Sequence, residues 1–119
     1  DVTEGGILGA IWEMCQIAGV GAEIHEDAVP VNDVTRKICD HFGINYLRLI
    51  SSGSMIIMAR PEKKNEIIKK LEAVGVAAAE IGVITPPEDG LLLVDGCGAC
   101  EKRAPIDPPS PDELYKVVK

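Results

Sequence analysis

The order of apolar patterns along these 119 residues predicts an α+β fold, a mixed sheet of four to five strands packed with helices in the order α-β-α-β-α-β-β-α. Three observations carry that expectation. A helical repeat of apolar residues opens the chain and gives way at glycines to an alternating stretch. Two further helical repeats alternate with short apolar runs. The last third then strings strand-like runs together through Gly- and Pro-rich turns.

From Gly5 to Gly19 the apolar residues Ile7, Ile11, Cys15 and Ala18 recur at intervals of three and four, with Leu8, Trp12 and Met14 flanking them. So few polar residues interrupt this helix that it should be covered on more than one side, by its own core and by a partner surface. Gly19 and Gly21 end it, and Ala22-Glu23-Ile24-His25-Glu26 alternates as a strand with one wet face. Asn32 and Asp33 start a second helix with Val34, Ile38 and Phe42 as its stripe and Gly43 as its stop. Ser51 to Ser54 form a turn. The unbroken run Met55 to Ala59 after it is expected to be a strand buried on both faces.

Pro61 suits the first turn of a third helix whose inner face is Ile67, Ile68, Leu71 and Val74. Its outer face carries Lys63, Lys64, Glu66, Lys69 and Lys70, a solvated face on which Glu66 and Lys70 form a favourable i,i+4 pair. Strands follow at Ala79 to Ile84, Leu91 to Val94 and Glu101 to Ala104. Near the end, Ser110-Pro111-Asp112-Glu113 reads as a capping box with Ser110 as N-cap, starting a short helix that turns Leu114, Val117 and Val118 inward. We therefore expect one domain over residues 1–104, with the proline-rich stretch and short helix of 105–119 packed on it.

Bulk properties exclude several function classes. The net charge is -7 and only 3% of residues are aromatic, so a phosphate backbone is repelled and base stacking has few platforms; nucleic acid is not an expected partner. No apolar run approaches the roughly 20 residues of a membrane span. No basic, apolar leader precedes Gly5, which points to a cytoplasmic protein. The chain opens on Asp1 inside a motif, as a piece of a longer protein would.

Asp1-Val2-Thr3-Glu4-Gly5-Gly6-Ile7 resembles the D-[VP]-T-x-G-G-[LI] segment that opens the C-terminal domain of AIR synthase-related proteins, the HypE (hydrogenase expression/formation) branch in particular. Gly19 to Ile24, Ser52 to Ile57 and Ile81 to Ile84 resemble three later strands of that domain, in the same order, so the likeness covers roughly residues 1–95. The resemblance implies a PurM C-terminal-domain-like fold in an ATP-using parent that activates an amide or carboxamide oxygen for displacement. It also implies that most nucleotide and magnesium ligands lie in a missing N-terminal domain, that the parent is a homodimer and works with a maturation-protein partner, and that this domain alone is a poor catalyst.

Beside the resemblance stands a physical reading of the opening motif. Two glycines at a helix start let an anion approach free N–H groups at the positive dipole end, so Gly5 and Gly6 are candidate ATP-phosphate contacts. Asp1 and Thr3 could add a magnesium ligand or a phosphate hydrogen bond, and Ser52 and Gly53 could line an interdomain cleft. The structural alternative is that Thr3 caps the helix, the glycines permit tight packing, and Ser52-Gly53 is only a turn.

Cys97 and Cys100 are spaced to share a zinc ion as a half-site, to handle sulfur or electrons, or to be an inert pair in a glycine-rich turn. Cys15, Cys39, His25 and His41 supply no second close pair, so a closed zinc site within one chain is not expected. HypE proteins resembling the hydrogenase-maturation type end in a cysteine that carries the carboxamide, whereas this chain ends Tyr115-Lys116-Val117-Val118-Lys119. The competing functional class is a stand-alone, ferredoxin-like dimeric module that holds a small ligand or metal.

Overall fold

In the computed structural model, which describes residues 1–2, 4–96 and 98–116, a four-stranded mixed sheet supports the molecule. Helix α1 spans Gly6–Ala18, strand β1 Gly21–His25, helix α2 Asp33–Phe42 and helix α3 Lys64–Ala73. Strands β2 (Gly82–Thr85), β3 (Leu91–Asp95) and β4 (Lys102–Pro105) follow. The strands lie in the order β2-β1-β3-β4, with β1 antiparallel to β2, parallel to β3, and β3 antiparallel to β4. This is the α+β mixed sheet that the sequence patterns predict.

The core sits between α1 and one face of the sheet. Leu8, Ile11 and Cys15 of α1 pack with Ala22 and Ile24 of β1, and with Val29, Leu47 and Ile106. Burial of apolar area on this scale is the main favourable term in folding. The buried line is Leu8-Ile11-Cys15 rather than the expected Ile7-Ile11-Cys15-Ala18, because Ala18 reaches the exposed end of the helix. The alternation on β1 holds. Ala22 and Ile24 face the core, while Glu23 and His25 face outward, where Arg103 of β4 meets Glu23 at 3.2 Å. Glycine is required where the backbone comes close: a Cβ on Gly21 would stand 2.5 Å from the Gly90 carbonyl oxygen and 2.7 Å from that of Pro86.

Four further expectations are corrected. Among the described residues Met55 to Ala59 joins no ladder; the pairing next to it is an isolated antiparallel bridge between Val2 and Ser54, and Met55 is 67% exposed. A continuous apolar run shows that a segment is meant to be covered, not that its covering strand lies in the same 119 residues. The α2 stripe Val34, Ile38 and Phe42 faces outward, because the helix seats itself through the neighbouring buried Cys39. Helix α3 buries none of its residues: Ile67, Ile68 and Leu71 are half-covered and Val74 is 75% exposed. Its outer charges behave as expected, with Lys70 3.1 Å from Glu66.

The fourth correction concerns the chain end. Ser110 is not an N-cap. A single 3₁₀ turn runs Glu113–Lys116, and Asp112 caps it, its Oδ1 accepting from the Leu114 amide at 2.9 Å. Pro111 breaks the chain before this turn instead of opening it. Leu114 is half-buried, and Val117 and Val118 lie outside the described residues.

Candidate functional site

The expected nucleotide-facing residues come from two stretches, and the fold brings them to one edge. Glycines 5 and 6 both take positive φ, 88° and 68°, so the chain enters α1 through a left-handed corner that L side chains resist. Gly5 occupies the N-cap position of α1 with no side-chain cap. A Cβ on Gly6 would sit 2.5 Å from the Leu47 carbonyl oxygen and 2.7 Å from that of Leu49, so the start of α1 lies directly on the 47–49 backbone. The 51–54 turn joins from the other side, where the Val2 amide donates to the Ser54 carbonyl at 2.9 Å. Ser51 and Ser54 hydroxyls are 3.0 Å apart across that turn, and Gly53 takes φ 93°.

Asp1, Ser52 and Gly53 are exposed on this edge. Thr3 lies outside the described residues.

A carboxylate from the far end of the chain occupies the glycine corner. Asp112, 3% exposed, accepts from the Gly5 amide through Oδ2 at 2.6 Å and from the Ile50 amide through Oδ1 at 3.1 Å. Its negative charge faces the positive end of α1, which favours the arrangement. Glu113 beside it accepts from the Asn45 amide at 3.1 Å and pairs with Lys116 at 2.8 Å. The hydrogen bond from Lys116, aided by that from Asn45, holds the Glu113 carboxyl below its usual range against the opposing effect of burial. Arg48 ties the same tail down, donating from Nη2 to the Asp107 carbonyl at 2.9 Å.

In the sequence Asp112 stands only as the middle of a capping box. Its acidic pair after a proline-rich stretch was the available signal, but nothing local says that Asp112 docks 107 residues away and Glu113 68 residues away.

The cysteines are scattered. Cys15 and Cys39 are buried, and burial pushes both thiols up; for Cys39 the neighbouring Asp40 and Glu113 add to the rise. Both behave as small core residues. Cys100 is exposed in the turn Gly98–Cys100, while Cys97 lies outside the described residues. Among the described residues, no group of three or more His, Cys, Asp or Glu side chains could hold a metal ion. His41 is exposed and meets the Phe42 ring edge-on at 4.9 Å, and His25 lies 3.6 Å from Glu23. No helix among the described residues is long and apolar enough to cross a membrane.

Taken together, a mixed sheet backed by a glycine-started helix, with an open edge at that helix's N-terminus, defines a PurM C-terminal-like α+β domain. The family model described as AIR synthase related protein, C-terminal domain, matches residues 1–94, and the chain belongs to that family. A Methanocaldococcus jannaschii protein named for hydrogenase expression and formation is 28% identical over 93% of this chain and 34% of its own length. Carbamoyl dehydratase HypE of Azotobacter vinelandii is 29% identical over 80% of this chain and 28% of its own. The crystal structure of Escherichia coli HypE, a hydrogenase maturation protein, superposes with a TM-score of 0.82 at 26% identity, covering 99% of this chain and 36% of that one. The chain thus spans about a third of the length of the relatives it matches.

Proposed function

We propose that this chain is the second domain of a HypE-like, ATP-dependent enzyme in which ATP activates an amide or carboxamide oxygen for displacement. The observation that carries the reading is the likeness to about a third of HypE, in fold over 99% of this chain and in sequence over 80% of it. The exposed apolar surface supports it. Ile17 on the outer side of α1 is 89% exposed and stands with Met14, Ile56 and Met58 around a groove of about 420 Å³, a surface suited to an N-terminal domain. Homodimerisation, docking to another maturation protein and a cytoplasmic location belong to the same reading. So does a single unit of residues 1–104 with 105–119, supported by the bonds from Arg48 and Asp112.

The Gly5 amide is already taken by Asp112, and a buried carboxylate repels a phosphate, so a phosphate does not fit at Gly5 in this arrangement. Asp1, Ser52 and Gly53 remain exposed on the same edge, placed to contact a nucleotide held chiefly by the other domain.

The test is calorimetric titration of Mg-ATP into the full-length protein and into residues 1–119. Heat with the full-length protein only is the expected result. If neither shows heat and residues 1–119 form a stable dimer carrying zinc, a ferredoxin-like metal-binding module replaces the enzyme-domain reading.

A further inference from the structure

Two backbone N–H groups meet at the glycine corner. Gly5 follows the stretch that carries Asp1, and Ile50 leads straight into the Ser51–Ser54 turn. Both amides point at Asp112, which accepts from Gly5 through Oδ2 at 2.6 Å and from Ile50 through Oδ1 at 3.1 Å. Two donors cannot bond each other, so hydrogen bonding joins the stretches here only through an acceptor that reaches both. A carboxylate has an oxygen for each, and its charge strengthens both bonds. Glu113 grips the same stretch at its other end, accepting from the Asn45 amide at 3.1 Å. Between them Arg48 holds the Asp107 carbonyl at 2.9 Å. The 45–50 stretch is thus fastened to the tail at three places, and Asp112 carries the hold across to the start of α1.

We propose that Asp112 is a positioning residue for the nucleotide-facing edge: its carboxylate sets the spacing between the stretch carrying Asp1 and the turn carrying Ser52 and Gly53, and so the affinity of the full-length protein for Mg-ATP. The proposal rests on the reading of this chain as the second domain of an ATP-dependent enzyme. Asp112 is 3% exposed, so it acts through its partners and not by touching the nucleotide. Ser52 and Gly53 stand two and three residues past Ile50, and Asp1 stands four before Gly5; all three are exposed. The bridge therefore lies at the root of both arms, while the bond from the Val2 amide to the Ser54 carbonyl at 2.9 Å joins them farther out. Loosening the root moves both arms relative to each other, and small misplacements of binding groups are costly. Asparagine is not a conservative replacement here. It offers one acceptor oxygen, and its NH2 group would face one of the two amides.

Calorimetric titration of Mg-ATP into three full-length proteins, wild type, Asp112→Asn and Ile11→Ala, tests the proposal. Asp112→Asn should weaken binding about tenfold or more. Ile11→Ala, a core truncation away from the edge, should bind as wild type does although it loses more stability. Without nucleotide, the Gly5 and Ile50 amides of Asp112→Asn should exchange hydrogen about tenfold faster than in wild type. If Asp112→Asn does not fold, Glu113→Ala decides, because it frees the Asn45 end of the same stretch and should weaken binding about threefold. Unchanged affinity in the folded edge variant overturns the proposal. So does equal weakening by Ile11→Ala, which would make the effect one of general stability. Tighter binding by Asp112→Asn also overturns it, since the carboxylate would then act only as a charge that repels phosphate. Wild type that takes up no Mg-ATP sinks the enzyme-domain reading and this role with it, whereas wild type that binds no better than Asp112→Asn sinks the positioning role alone.

Discussion

Helices α1 and α3 carry apolar residues at similar spacings, but the fold uses them in opposite ways. In α1, Leu8, Ile11 and Cys15 are buried against the sheet; in α3, no residue is buried and Val74 points into solvent. The difference is not in the pattern but in what the rest of the chain provides. Beneath α1 lie β1, the 47–49 backbone and Ile106, drawn from three separate parts of the sequence. Helix α3 follows the unpaired 55–60 run and inherits its lack of a supporting layer. An apolar stripe states that a face will be covered; only tertiary structure says by what.

The sharpest way to break this comparison is a matched pair of truncations. Ile11→Ala removes a side chain at 0% exposure, and we expect a loss of about 3 kcal/mol in urea unfolding of the full-length protein. Ile67→Ala in α3 should cost less than about 1 kcal/mol, the usual range for a half-covered site. Equal costs would mean that α3 is packed as tightly as α1 in the full-length protein, and the contrast would vanish.

A smaller loss is expected from the clasp that holds the start of α1. Asp112→Ala leaves the Gly5, Ile50 and Leu114 amides without their carboxylate and should cost about 2 kcal/mol. Ser110→Ala, by contrast, should be silent, because Ser110 caps nothing. A thermal melt of both variants checks the assignment; a large effect at Ser110 would restore the capping box.

These contrasts mark how much was readable in advance. Helix α1, strand β1 and the glycine stops of α1 and α2 were legible because their signals are local: a 3.6-residue repeat, an alternation, and left-handed corners at Gly19 and Gly43. The Glu66–Lys70 pair was legible for the same reason. The Met55–Ala59 run was not, since a continuous apolar stretch reads alike whether or not a neighbour pairs with it. The outward turn of Val34, Ile38 and Phe42 was not, because an apolar stripe does not name the surface that covers it, and α2 buries the adjacent Cys39 instead. At the candidate site, the glycine corner was visible in the motif, but its occupant was not. Asp112 acts across the whole length of the chain, and no periodicity encodes that distance.

Next in size is the pH dependence of the clasp. The folded state lowers the Glu113 carboxyl below the usual carboxylate range, chiefly through Lys116. A depressed carboxylate contributes stability that is present above the unfolded value and is lost as pH falls through the folded one. Urea midpoints at pH 6.5 and at pH 3.5 should therefore show wild type above Glu113→Gln at the higher pH and the gap narrowing at the lower. A gap that stays constant would mean that Glu113 acts through shape rather than charge.

The smallest effect separates α3's charged face from its apolar one. Lys70 lies 3.1 Å from Glu66, and both side chains are more than half exposed. An exposed i,i+4 pair contributes only about 0.3 kcal/mol, and salt screens it. Lys70→Ala should thus lower stability barely above error in dilute buffer, and the difference should disappear in high salt. The comparison gains most from repeating this with Val74→Ala. If α3 stands in solvent in the full-length protein as it does here, Val74→Ala is as silent as Lys70→Ala. If another domain covers α3, Val74→Ala becomes costly while Lys70→Ala stays small, and the helix's apolar face is then assigned to that interface by measurement.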